Sequence, residues 1–422
     1  MSRPAQTGIL NRQNGRYLGF GFLHFFFSFV GQTFFISLFV ARMTERMDWA
    51  DNTFAGIYSA VTLAAAFVLP VIGQQVDRLK VRYVSTVAAA GLLVGTALLA
   101  FSTHIALLVA GLFIVRLGGQ GVMPLIGSTT IGRYFDQRRG RALALSIIGI
   151  SAAEVLLPPL ATYAMEVYGY APVWLLAGCA VLFVFVPLVW LLVRRHDDFQ
   201  RATTVAEAQL RRDPASAEVA SWSRGDVLRD RRFQLVLPIV LFIPFVFTGL
   251  VFNQSVIAAE RGYTAETMAY GLSTYGLVRV VFLLFGGDLI DRIGPTTLLR
   301  FVLLPAVAGL LVLMLVEKSW GVPVFFGLMA VSGGTDSVNT PALWAERYGP
   351  RYLGSIKSTV RLFVVVASAA APILFSYGLG WSLRGGLLIL VAYGLLCIGL
   401  ALGERRVDAR GRAAARRKDE GQ

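Results

Sequence analysis

A chain of 422 residues that is 56% hydrophobic and only 15% charged lacks the polar surface of two or three soluble domains. Its mean hydropathy of +0.64 places it in a membrane. The net charge of +14 comes with no nucleic-acid motif, and Cys179 and Cys397 sit in apolar runs with no second cysteine or histidine at ligand spacing, so neither a disulfide framework nor a metal site is expected.

A bilayer core about 30 Å thick needs roughly 20 apolar residues per helix. On that basis the sequence predicts twelve spans, the first six at approximately 17–41, 54–76, 82–101, 105–131, 141–167 and 171–193. The other six lie at approximately 234–258, 265–287, 295–316, 320–345, 354–378 and 381–402. The first run is too long for a signal-peptide core and has no small-residue cleavage site, so it is expected to remain in place. The organisation predicted is a six-helix bundle over 1–193, a cytoplasmic linker over 194–232, a second six-helix bundle over 233–404 and a basic cytoplasmic tail over 405–422.

Only Arg42, Arg46, Arg261, Lys318 and Arg384 fall on the side away from the termini, and Arg116, Arg279 and Arg361 fall within spans, leaving 31 of the 39 Lys and Arg on the terminus side. By the positive-inside rule both termini are cytoplasmic, and the excess charge meets anionic lipid headgroups instead of nucleic acid.

The two halves repeat. Gly73, Asp77 and Arg78 after span 2 recur at one constant offset as Gly287, Asp291 and Arg292 after span 8. Arg133-Tyr134 with Gly140 recurs as Arg347-Tyr348 with Gly354, and Pro158 as Pro372, in the same register. Three independent matches argue for two similar halves joined end to end. The Gly-x-x-x-Asp-Arg loops, with Arg82 beside the first, are read as latches that hold a gate closed.

Ionisable groups inside spans cost about 2.5–3.5 kcal/mol each, which makes every one a functional candidate. Six are found: His24, Arg116, Glu154, Arg279, Asp336 and Arg361. Counted from the loop boundaries at about 1.5 Å per residue, Arg279, Arg361 and His24 lie roughly 10–12 Å from the cytoplasmic side, enough to ring one cavity. Arg116 and Glu154 lie roughly 21–26 Å up and are read as a pair, either a structural ion pair or a proton relay. His24, among Phe25, Phe26, Phe27 and Phe29, is read as a packed neutral imidazole or a substrate contact. Asp336 can neutralise one arginine, but three permanent cations face two anions, and an anionic substrate supplies the missing charge. The glycine pairs Gly118-Gly119 and Gly333-Gly334 have no Walker-type ending and fit close helix packing.

Twelve spans in two halves, a long central loop and the paired Gly-x-x-x-Asp-Arg loops resemble the major facilitator superfamily of secondary transporters. That resemblance implies an all-α fold of two pseudo-symmetric six-helix bundles with a midplane cavity, rocking to give alternating access. The run Arg116-Leu117-Gly118-Gly119-Gln120-Gly121 resembles the span-4 motif of its proton-coupled members. Arg133-Tyr134-Phe135, the following Arg138 to Ala144, Arg279 and Arg361 are similar to the monocarboxylate and oxalate/formate branches. In the oxalate/formate branch, basic residues in spans 8 and 11 contact substrate carboxylates, which implies a substrate site at Arg279 and Arg361, with Tyr275 one turn before Arg279 where the animal monocarboxylate transporters carry an aspartate.

The resulting expectation is a monomeric, multi-pass transporter of a cell membrane, without cofactor, that carries a small organic mono- or dicarboxylate by proton symport or anion exchange. The rival within transport is a proton-coupled exporter of drug-like hydrophobes. A membrane enzyme or receptor is the weaker alternative, since the sequence has no catalytic dyad, paired carboxylates at catalytic spacing or soluble ligand domain.

Overall fold

The computed structural model describes residues 12–49, 51–135, 139–193, 224–348 and 353–419. Among them every regular element is helical. That is what lipid demands, because a spanning segment must satisfy its backbone hydrogen bonds internally.

Among the described residues nine helices are long and apolar enough to span, and span 1 is a tenth, bent by 40° between Gly31 and Thr33. Span 9 is broken into Pro295–Leu298 and Leu304–Leu315, and span 10, Gly321–Tyr348, carries a polar stretch over 332–340. With these two the count of twelve is complete.

Span 1 comprises Arg12–Phe27, Ser28–Gly31, Thr33–Ile36, Ser37–Phe39 and Val40–Met47. Span 2 is Asp51–Arg78, span 3 Val81–Ala100, and span 5 Arg139–Tyr168. Span 4 runs through Ile105–Val115, a π-helical Arg116–Val122 and Met123–Tyr134. Span 6 runs through Tyr170–Ala180, a π-helical Val181–Phe185 and Val186–Leu192. After a short helix Arg224–Arg229, span 7 is Arg231–Phe252 with Gln254–Arg261, and span 8 is Ala265–Ile293. Spans 11 and 12 are Leu353–Trp381 and Leu383–Asp419.

The repeat seen in sequence persists in the element boundaries. Val40–Met47 and Gln254–Arg261, the last pieces of spans 1 and 7, start and stop in the register that relates Gly73 to Gly287. Each ends on a left-handed residue in that same register, Asp48 at φ 54° and Gly262 at φ 67°. Glycine adopts this conformation freely, and aspartate is among the few other residues that tolerate it. Spans 2 and 8 begin at Asp51 and Ala265, and spans 5 and 11 at Arg139 and Leu353, once more in register.

The Gly-x-x-x-Asp-Arg segments are not loops. Residues 73–78 close the span 2 helix and residues 287–292 lie inside the span 8 helix. The side chains of Gly73, Asp77, Arg78, Gly287 and Asp291 fall outside the described residues, as do residues 194–223 of the linker. Arg292 is exposed, while Arg82 lies over the rings of Tyr83 and Trp190 at 5.0 and 5.3 Å.

The residues gather into two compact units. The first is Met1–Glu218 with Val251–Val280, and the second is Val219–Leu250 with Val281–Gln422. Aromatic rings fill the first: Trp174 packs on Phe35 and Phe39, Tyr17 stacks on Tyr134 at 3.6 Å, and Phe54 and Tyr58 meet Phe252. In the second, Phe242 packs on Tyr393, whose hydroxyl donates to the Pro238 carbonyl at 3.1 Å.

Candidate functional site

The in-span charges divide into one ion pair, one cation held by neutral groups, and two groups with no ionic partner among the described residues. Glu154 of span 5 is 3% exposed and accepts two hydrogen bonds from Arg279 Nη1 of span 8, at 3.0 and 3.1 Å. The approach is permitted by Gly276, where a Cβ would lie 2.7 Å from the Ser151 carbonyl oxygen and 2.9 Å from Glu154 Cβ. Ser273 Oγ, one turn further back, donates to the Val155 carbonyl at 2.7 Å. Charge-assisted bonds of this kind are roughly twice as strong as neutral ones, and the low surrounding dielectric makes a missing partner costly.

This corrects two expectations. Glu154 pairs with Arg279 and not with Arg116, and Arg279 does not sit at the shallow level read from its distance to Gly287. Span 8 continues to Ile293, and span 5 starts at Arg139. Arg279 therefore lies about four turns from the end of its helix and Glu154 about four turns from the start of its own. Both rises come to about 21–22 Å, so the two residues meet at one depth. Tyr275, 4% exposed, contributes its ring 5.8 Å from the Arg279 guanidinium.

Arg116 is 1% exposed and has no acidic partner among the described residues. Nη1 donates to the Gly31 carbonyl at 2.8 Å, Nε donates to Thr62 Oγ1 at 3.0 Å, and the guanidinium lies 4.8 Å over the Tyr58 ring. Span 1 breaks here, with Gln32 extended at ψ 147°, so Gly31 ends a half-helix whose carbonyls carry the negative pole of its dipole. That pole stands in for a carboxylate. Contact is possible because Gly31 and Gly119 lack side chains: a Cβ on Gly31 would overlap the Val115 carbonyl.

His24 is fully buried between Phe20 and Phe185. Its Nδ1 lies 2.8 Å from the Phe20 carbonyl, and its Nε2 lies 2.8 Å from Ser85 Oγ. Donation from Nδ1 to the carbonyl leaves Nε2 facing Ser85 Oγ, whose single hydroxyl proton has two acceptors within reach, Nε2 and the Val81 carbonyl at 2.8 Å.

Arg361 of span 11 is exposed, and no described residue bonds to it. At about 100° per residue it shares a stripe with Ser368, Pro372 and Phe375, all buried, opposite the exposed Val366 and Tyr377. Arg361 stands exposed beside the exposed Leu362, with Thr359 and Val360 just before it buried. Arg361 lies about two turns from Leu353, about 12 Å along the helix. Asp336 of span 10 is half-buried, and among the described residues its one bond is from Thr340 Oγ1 at 2.6 Å. No arginine among the described residues reaches it.

A membrane protein of twelve helices in two repeats, with charges buried in its spans, has the build of a solute transporter. Residues 21–372 match the family model of the Major Facilitator Superfamily, and the chain belongs to that superfamily of transporters. Two solved structures share the fold: a bacterial homolog to the human lysosomal transporter Spinster in an inward-facing and unoccupied conformation, and one in an inward-facing and occupied conformation. The first has 12% identity, a TM-score of 0.66 and coverage of 94% of this chain and 98% of that one. The second has 13% identity, a TM-score of 0.68 and coverage of 94% and 97%. Among curated proteins no sequence match was found.

Proposed function

We propose that this transporter carries a small organic anion with a single carboxylate by alternating access, with Arg361 as the group that binds it. The observation that carries the reading is that Arg361 alone, of the three in-span arginines, has neither an anion nor a helix terminus beside it among the described residues. A guanidinium cannot shed its charge, and its planar fork suits a carboxylate. The second arginine that a dicarboxylate would need, Arg279, is taken up by Glu154. One free arginine fits a monocarboxylate better than a dicarboxylate, and a drug-like hydrophobe would leave Arg361 without a role.

Glu154 supplies the coupling. Protonating it withdraws the anion from Arg279 and loosens span 8 from span 5, so that proton and substrate act on different charges in one cycle. The basic side of the membrane is the cytoplasm of the cell, with both termini there, as the 31 terminus-side Lys and Arg argue. The Gly-x-x-x-Asp-Arg segments at Asp77 and Asp291 act as gate latches.

Reconstituted protein offered radiolabelled lactate, oxalate and a cationic dye, each with and without a proton gradient, tests the reading. Lactate accumulation that grows with the gradient is expected. Gradient-driven movement of the dye alone would establish the exporter reading instead.

A further inference from the structure

Span 9 is broken close to its start, and the cause is Pro305. Having no N–H, it cannot continue the ladder, and the next N–H, that of Ala306, donates instead to Ser332 Oγ of span 10 at 2.9 Å. The Leu304 N–H goes to the Phe301 carbonyl at 3.1 Å. As a result the carbonyl oxygens of Leu299, Arg300 and Val302 accept no backbone hydrogen bond among the described residues, although Leu299 and Val302 are 1% and 3% exposed. Buried carbonyls without donors are rare and call for a partner.

Span 10 presents its polar face to this break. Ser332, Asp336 and Asn339 form an i, i+4, i+7 stripe, and the Ser332–Ala306 bond fixes its register against span 9. The helices run antiparallel, so one turn along from that bond Asp336 comes level with Val302. A further turn along, Asn339 comes level with Leu299. Asn339 is 0% exposed, and neither Oδ1 nor Nδ2 has a hydrogen-bond partner among the described residues. Asp336, one turn away, is a carboxylate with no cation beside it among the described residues.

We propose that the broken start of span 9 and the Asp336–Asn339 turn of span 10 form a binding site for a monovalent alkali cation, Na+. Its ligands are the Asp336 carboxylate, Asn339 Oδ1 and the freed carbonyls of Leu299 or Val302, completed by water reaching the half-buried Asp336. An all-oxygen set with one carboxylate suits a hard, singly charged ion, whereas Ca2+ takes six to eight oxygens. No group of three or more His, Cys, Asp or Glu that would hold a transition metal occurs among the described residues. Backbone carbonyls of an unwound span are the usual means by which a membrane protein replaces a cation's water shell. The first half has none of this: Gly91, Val122 and Leu125 hold the positions that correspond to Pro305, Asp336 and Asn339, and span 3 is unbroken. The site thus arose on one half only. Arg300, in the break itself, has its Nε buried without a partner among the described residues, so its part in the site is tested separately.

Purified protein without substrate separates this site from the anion reading. Melting temperature and radiolabelled Na+ binding are measured in NaCl and in choline chloride at equal ionic strength. A saturable rise with Na+ is expected, weakened by at least about tenfold in Asn339→Leu and in Thr340→Val and lost in Asp336→Asn. Arg300→Gln should keep it. Equal melting in both salts, stabilisation by acid alone, or loss of Na+ binding in Arg300→Gln would each overturn the proposal. Because Thr340→Val keeps every charge, it remains informative if Asp336→Asn fails to fold.

Discussion

Glu154→Gln should lower the stability of the purified protein by about 3–5 kcal/mol, the loss typical when one member of a buried pair is removed. The cause is specific. Arg279 Nη1 donates to both carboxylate oxygens of Glu154, the arginine side chain is only 16% exposed, and its Nε has no partner among the described residues, so the uncompensated cation has nowhere to go. Arg279→Gln should cost a similar amount by leaving the carboxylate alone. The double variant Glu154→Gln with Arg279→Gln should recover much of both losses, because two neutral amides can bond to each other. Thermal melting of the four proteins gives the coupling energy, which should reach or exceed the upper end of the about 0.5–3 kcal/mol found for contacting groups. Losses that simply add would show that the two residues act independently.

Arg361→Gln should do the opposite, sparing stability and removing affinity. Nothing among the described residues bonds to the guanidinium, so its loss orphans no partner. Anion binding, however, should weaken by about 30-fold to 1000-fold, equivalent to about 2–4 kcal/mol. Arg361→Lys should restore the part that charge alone supplies and little of the part that needs the planar fork. A melting temperature lowered as much as in Arg279→Gln, with affinity intact, would make Arg361 a structural clamp.

The scaffold was legible in the sequence because its causes are local and repeated. Runs of about 20 apolar residues set the spans, and the register that relates Pro158 to Pro372 recurs in helix starts as far apart as Asp51 and Ala265. The chemistry resisted the same reading because the repeat does not carry it. His24, Arg116, Glu154, Arg279, Asp336 and Arg361 correspond to Pro238, Ala330, Ser368, Ala65, Val122 and Ile147 in the other half, so no charge has a counterpart from which to infer a partner. Depth failed for Arg279 because Gly287 lies inside a helix that runs on to Ile293 and does not end it.

Two features carry signals in the sequence that periodicity and charge do not pick out. Gly276, three positions before Arg279, marks the face on which span 8 touches span 5. Pro305 together with Asn339, three positions beyond Asp336, marks a break facing a polar turn. Arg116 needs no carboxylate because a half-helix end meets its charge, and no sequence pattern announces the bend at Gln32.

The relative affinities of the wild-type protein for lactate and oxalate, measured by equilibrium binding of each radiolabelled anion, test the central claim most directly. One free guanidinium gains nothing from a second carboxylate and must leave it in a span interior, where an unpaired charge is costly. Lactate should therefore bind at least as tightly as oxalate. Oxalate bound about 30-fold or more tightly than lactate would mean that a second cation joins Arg361, and measurable binding of neither anion would contradict the assignment of Arg361 to a carboxylate.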